Sequence, residues 1–287
     1  MNKKVNILGC SLDIQTLEEV LDKISKCLEG DKQIHIVTPN PEIILFAHRH
    51  PDFLSILNRA AINVADGTGL QWAANYNQIF LTQLPVLKQI QAFIQLILSL
   101  IWFFFSKKYT SRIIPENITG TDLVPEICRI CAEQGKKIFL LGGISDVAKI
   151  TSQKLADQYP NLLIAGYSNL DPDFKHECQI VEQINKTKPD CLLVAYGAPK
   201  QEYWIDRNLK KIPSVKIVAG IGGAFDFISG SVSFYGGPPA TRAPLWLRRN
   251  KLEWFYRLVT QPNRISRIIN AVVVFPLTVM IAKINTK

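Results

Sequence analysis

Short apolar runs that end in glycine, proline or aspartate, and that alternate with longer amphipathic runs, constrain this chain more than any other feature. An apolar run of four or five residues bounded by such breakers reads as a strand covered on both faces, because an edge or half-exposed strand would alternate polar and apolar positions. The runs Val5–Leu8, Ile34–Thr38, Ile62–Ala65, Ile138–Leu141, Leu162–Gly166, Cys191–Ala195 and Val215–Ala219 predict strands. Helices are predicted at Leu17–Leu28, Glu42–Arg49, Ser145–Gln158 (with Ser145 as its N-cap), Glu177–Lys186 and Gln201–Lys210. Strands and helices in alternation imply the α/β class: a Rossmann-like, mostly parallel sheet covered by helices. In such a sheet, ligands bind beyond the carboxyl ends of the strands, where loops and helix N-termini converge.

At 287 residues, with 47% apolar and 20% charged side chains, the chain holds a generous core and room for an appendage. The charge is unevenly spread. Residues 237–287 carry nine Lys or Arg against the single acid Glu253, so +8 of the net +9 lies there. That balance calls for an anionic partner. The organisation expected is an α/β core over 1–236, with an apolar insertion at about 77–114, followed by a basic, helical, membrane-associating appendage over 237–287. Met1–Lys4 leads straight into a strand, so no signal peptide is expected. The six cysteines (Cys10, Cys27, Cys128, Cys131, Cys178, Cys191) read as reduced, mostly buried thiols; the Cys128–Cys131 pair falls inside a helix with no second pair to complete a metal site.

Two segments depart from the alternation. Ala92–Phe105 is apolar for about 14 residues between Lys88 and Lys107–Lys108. As read from that run it is too short to span a bilayer of about 30 Å, and it suits a buried core helix or an interfacial element. Ile268–Ile284 is apolar for about 16 residues, broken by Asn270 and Pro276, and follows the basic cluster directly, the pattern of a peripheral anchor on anionic lipid.

Candidate sites sit at predicted strand ends. Thr38-Pro39-Asn40-Pro41-Glu42 opens a helix with proline at its first position, which a capped turn alone would explain; Thr38 and Asn40 would still face the crevice. Ala65-Asp66-Gly67 places a carboxylate at a strand end, either a turn aspartate bonding its own backbone or a general base for a sugar hydroxyl. Gly142-Gly143 and Gly220–Gly223 would let backbone N–H groups approach a diphosphate. Gly197-Ala-Pro-Lys-Gln-Glu202 adds an amide, an ammonium and a carboxylate at one turn. Neither glycine loop has the spacing of a dinucleotide fingerprint, and no GxSxG elbow or P-loop lysine occurs. The only DxD is Asp171-Pro172-Asp173, in a loop, and His35, His48, His50 and His176 form no cluster and read as solvated or incidental, so no metal or cofactor is expected.

Eight ordered motifs together resemble the WecG/TagA/CpsF glycosyltransferases: Thr38–Glu42, Ala65–Gly69, Thr119–Leu123, Phe139–Gly143, Gly197–Glu202, Gly222–Asp226, Arg242–Pro244 and Glu253–Arg257 before Pro262. The resemblance covers residues 4 to about 267 apart from a stretch between about Tyr76 and Pro115. It implies inverting, metal-independent transfer of N-acetylmannosamine or a related sugar from a UDP-sugar donor. The implied acceptor is a polyprenyl-diphosphate-linked N-acetylglucosamine on the cytoplasmic face of the membrane, with the enzyme peripheral there. The products implied are cell-surface polysaccharide or teichoic-acid-type polymers. By the same resemblance Asp66 is the base, and Arg257 and Arg264 stabilise the leaving diphosphate. The binding set is Thr38, Asn40, Gly67, Gly142, Gly143, Gly197, Lys200, Gln201, Glu202, Gly222, Gly223, Asp226 and Arg242. The partners implied are the two substrates and an anionic membrane surface rather than nucleic acid, with a homo-oligomer compatible.

The chain departs from the pattern at Asn117, where the family carries arginine after Glu116. Asparagine supplies no positive charge to a diphosphate, so another cation must serve or the substrate differs. Two readings from other classes remain. A nucleic-acid-binding protein would account for the basic tail but not for the core motifs. A non-catalytic membrane adaptor would account for Asn117 but not for an intact Asp66 and Gln201.

Overall fold

The computed structural model describes residues 3–230, 232–233, 237–239, 243–244, 246–247, 250–260 and 265–285. Six strands build one sheet: β3 (Ile34–Val37), β4 (Ile62–Asn63), β5 (Lys137–Gly142), β6 (Leu163–Ser168), β7 (Cys191–Ala195) and β8 (Ile217–Gly220), in the spatial order β4-β3-β8-β7-β5-β6. Every pairing among them is parallel. From β3 the chain moves outward to β4 at one edge. From β5 it moves outward to β6 at the other edge, then returns through β7 to β8, which lies against β3. All six carboxyl ends therefore open on one side.

The sheet is covered on both faces, and the alternation along β5 shows how. Ile138 and Leu140 pack with α1 (Leu17–Glu29), α7 (Gly120–Glu133), α8 (Val147–Gln158) and α11 (Ala224–Ser229). Phe139 and Leu141 pack on the other side with α9 (Phe174–Thr187) and α10 (Lys200–Asn208). A further core joins Val37 to α2 (Pro41–Arg49), α3 (Pro51–Arg59), α4 (Thr68–Asn77), α5 (Pro85–Phe105) and the last helix. Cys128, Cys131 and Cys191 are buried free thiols, and burial pushes the Cys128 thiol up.

Four expectations need correction. Val5–Leu8 does not join the parallel sheet. Its strand β1 (Lys4–Ile7) pairs antiparallel with β2 (Cys10–Asp13) through a turn in which Leu8 and Gly9 both take positive φ. Two positive-φ residues are what a tight hairpin needs, and leucine there masks the signal. Ser145 caps nothing: it too has positive φ, and α8 begins at Val147. His35 is not incidental at the surface. It is buried on β3, and desolvation lowers its pKa to about 4, which keeps it neutral.

The fourth correction concerns the apolar segments. Helix α5 starts at Pro85 and runs 21 residues, about 32 Å at 1.5 Å per residue, so it is long enough to cross a bilayer. The glutamines that interrupt its apolar run do not stop it. Gln91 and Gln95 turn back and donate to the Phe80 carbonyl, tying down the chain that leads in. The last helix is likewise unbroken from Ile265 to Asn285. A π turn at Asn270–Val274, in which the Phe275 N–H reaches Asn270 O, absorbs Pro276 and its missing donor. Phe275 and Val279 of this helix are buried in the same core as Trp72, Tyr76, Leu96 and Phe103. The remaining helices are α6 (Lys107–Thr110) and α12 (Glu253–Thr260), and the last helix, Ile265–Asn285, is α13.

Candidate active site

Beyond the carboxyl ends of the sheet, six loops are joined into a ring. After β3, Asn40 caps α2, its Oδ1 accepting from the Ile43 N–H at 2.9 Å, with Pro41 in the first turn. After β4, the Asp66 N–H donates to Pro39 O at 2.9 Å, so the Thr38 and Asp66 loops are stitched together. Gly67 and Gly69 pack on Pro41: a Cβ at Gly69 would stand 3.0 Å from the proline ring. Gly67 also has φ 114°, a conformation that side chains avoid. Its N–H donates to Asn117 Oδ1.

The ring continues through α7. Thr119 caps that helix, and Gly120 presses on the backbone of Ile221, where a Cβ would come within 2.8 Å of the carbonyl oxygen. Gln201 closes it: one Oε1 accepts from both Gly197 N–H and Gly222 N–H, each at 3.1 Å. The Gly143 N–H, in turn, donates to Ala195 O at 3.2 Å. Helices α2, α4, α7 and α10 all start on this ring. Their N-termini point backbone donors and positive dipole ends at the mouth, which favours an anionic ligand.

The family model described as "Glycosyl transferase WecG/TagA/CpsF family" matches residues 5–102 and 92–287. The chain belongs to the WecG/TagA/CpsF family of glycosyltransferases. Its two matched ranges meet inside α5, in the stretch expected to be inserted. A relative from Staphylococcus aureus (strain MRSA252) is 30% identical over 270 residues, 92% of this chain and 88% of the relative. A second, from S. aureus strain NCTC 8325 / PS 47, is 29% identical over the same shares. Both are named N-acetylglucosaminyldiphosphoundecaprenol N-acetyl-beta-D-mannosaminyltransferase.

In this glycosyltransferase the ring gathers Thr38, Asn40, Asp66, Gly67, Gly142, Gly143, Gly197, Lys200, Gln201, Gly222 and Gly223 at one mouth, but not all in the sense expected. Asp66 is partly exposed at the end of β4, and Lys200 is exposed at the first position of α10. Gln201 and Glu202 are turned inward, only 3% and 2% exposed. Gln201 Nε2 donates to Glu202 Oε1 at 2.7 Å, and both side chains fill the space that a Cβ at Gly220 would need. Desolvation raises the Glu202 pKa from 4.5 to about 7. Gln201 thus holds the Gly197 and Gly222 loops from beneath, with Glu202 behind it. Asp226 is also buried, in the first turn of α11.

Arg257 bonds Glu253 on its own helix, Nε to Oε1 at 3.1 Å, rather than any ring loop. Arg242 and Arg264 lie outside the described residues. The described tail arginine that reaches the ring is Arg267, whose Nε donates to Glu42 Oε2 at 2.6 Å, one residue past Pro41. It lines a cavity of about 220 Å³ with Arg49, Asn270, Ala198 and Pro199. Asn117 gains a role that its charge did not suggest, as acceptor for the Asp66–Gly67 turn. Among the described residues no group of three or more His, Cys, Asp or Glu gathers as metal ligands; Asp171 and Asp173 remain in the loop before α9.

Proposed function

We propose that this glycosyltransferase moves N-acetylmannosamine, or a related sugar, from a UDP-sugar to a polyprenyl-diphosphate-linked N-acetylglucosamine, with inversion and without a metal. The position of Asp66 carries the reading. It is a partly exposed carboxylate at a strand end, inside a ring of helix N-termini suited to a diphosphate, in a chain whose relatives are named for that acceptor and sugar. The step is a single displacement. The acceptor hydroxyl oxygen bonds to the anomeric carbon, its proton passes to the Asp66 carboxylate, and the bond from that carbon to the UDP oxygen breaks with its electron pair leaving on UDP. Thr38 and Asn40 border the sugar. Gly142, Gly143, Gly197, Gly222 and Gly223 leave the main chain bare of side chains, so that the nucleotide diphosphate can approach it closely, and Lys200 and Arg267 add charge. Holding both substrates in one cleft supplies much of the acceleration.

In this reading residues 1–236 carry the chemistry, helped by Arg267, and the rest of 237–287 attaches to the inner face of the cell membrane, where the lipid-linked acceptor of a cell-surface polymer resides. UDP release from a panel of UDP-sugars, with a short-chain polyprenyl-diphosphate N-acetylglucosamine and with chelator present, is the test. We expect acceptor-dependent release with one donor, lowered about 10²-fold or more by Asp66→Asn. Full activity in Asp66→Asn would remove Asp66 as base, and no acceptor-dependent release with any donor would overturn the assignment.

A further inference from the structure

Helix α5 has two unlike faces. Ala92, Leu96, Ser99 and Phe103, spaced four, three and four apart, are buried against the protein. Ser99 Oγ accepts from Trp72 Nε1 and Ala92 O accepts from Tyr76 OH, both at 3.0 Å, so α5 runs antiparallel to α4 and is bonded along it. Among the described residues no helix or strand covers the opposite face, and only Asn250 and Leu252 come beside Ile97, Ile101 and Phe105. Phe93, Ile97, Leu98, Ile101, Trp102 and Phe105 are each between 44% and 86% exposed. Beside α5, the last helix exposes a stripe of its own at Ile269, Val273, Leu277 and Ile281. Unpartnered apolar surface on this scale, on two adjacent helices, marks an interaction site.

The charges around it select the occupant. No Asp or Glu occurs between Gly67 and Pro115, nor after Glu253. Lys107, Lys108 and Arg112 are exposed immediately past the Trp102–Phe105 end of α5. An apolar face rich in Ile, Phe and Trp, edged by cations and without acids, matches the interfacial layer of an anionic bilayer. A second copy of this chain would bring the same uncompensated cations to the same interface. A transmembrane placement is incompatible with the packed face, because the helix cannot cross a bilayer while Ala92–Phe103 is seated on α4.

We propose that α5 lies flat in the outer layer of an anionic membrane leaflet, beside α13, as a second anchor independent of the basic tail. This rests on the membrane association proposed above and specifies the element that makes it. The consequence for the site is geometric. Helix α4 begins two residues after Asp66, and the chain leaving the insertion returns to that turn at Asn117. A leaflet holding α5 therefore lies about 10 Å, one helix diameter, from the helix that carries the Asp66 turn. That suits a head group that cannot leave its lipid.

The test uses the full chain and vesicles of phosphatidylcholine with or without phosphatidylglycerol, some brominated on the acyl chain. Trp72 and Trp204 are buried, so quenching reports the exposed tryptophans. We expect brominated anionic vesicles to quench the fluorescence and Trp102→Phe to remove a large part of that quenching. The pair Ile97→Ser and Ile101→Ser should weaken vesicle binding about 10-fold or more while leaving turnover of a soluble short-chain acceptor unchanged. Quenching unaltered in Trp102→Phe, or binding unaltered in the double variant, would overturn the proposal. So would a lipid-free dimer that the serine pair dissociates. Because binding is read without turnover, a chain that binds vesicles through α5 but transfers no sugar would sink the transferase reading alone.

Discussion

Gln201 and Glu202 are adjacent at the start of α10, and both face away from the mouth that their loop forms. Gln201 uses one oxygen to hold Gly197 and Gly222, so two ligand-facing loops share a single acceptor. Glu202 supports it from below with one oxygen, while its Oε2 is buried and has no hydrogen-bond partner among the described residues. The folded state keeps a proton on Glu202 that the unfolded chain releases near pH 4.5. Its contribution to stability is therefore complete below about pH 4.5 and falls as pH rises through about 7, by on the order of 3 kcal/mol. Glu202→Gln keeps the acceptor for Gln201 and should flatten that slope. Urea midpoints of both proteins between about pH 5 and about pH 8 measure it, and parallel slopes would contradict the assignment. The motif was legible as a site, but the inward turn of its two polar side chains was not. That direction follows from a gap beside Gly220, 18 residues away, which local sequence does not encode.

At the scale of elements, the ring depends on backbones that approach closely. Gly120 is the tightest such point, and Gly120→Ala would push a methyl into the Ile221 main chain, which cannot move aside as a side chain could. We expect a loss of about 1–3 kcal/mol by thermal denaturation, accompanied by reduced turnover, since α7 and the Gly222 loop would separate. An unchanged melting temperature would show that the contact is slack. Helix ends are managed across long distances. Lys283 Nζ donates to Tyr76 O and stands 4.1 Å from that ring, capping α4; Lys251 Nζ donates to Phe103 O near the end of α5. Cations there oppose the negative end of each helix dipole. The sequence pattern marked these lysines as part of a basic tail facing an anion. Their actual partners are carbonyls 207 and 148 residues away.

Across the whole molecule, the last helix is part of the core as well as of a surface. Phe275 and Val279 complete the wall formed by Trp72, Tyr76 and Leu96. A chain ending at residue 264 should lose about 3–6 kcal/mol from those two side chains alone, whatever it does to membrane affinity. Denaturant midpoints of the shortened and full chains test this, and equal midpoints would make the tail an independent appendage. What the sequence by itself determined is the α/β alternation, the loops at which chemistry collects and the asymmetric charge. Each is a local property, set by residues within one strand or one turn of one another. Only the tertiary structure decided which polar groups face the mouth, how far α5 extends and which tail cations reach the core. Those outcomes depend on partners such as Gly67 with Asn117 or Arg267 with Glu42, 50 and 225 residues apart. No local pattern carries such pairings, because the side-chain direction is chosen by the space and the acceptors that folding brings alongside.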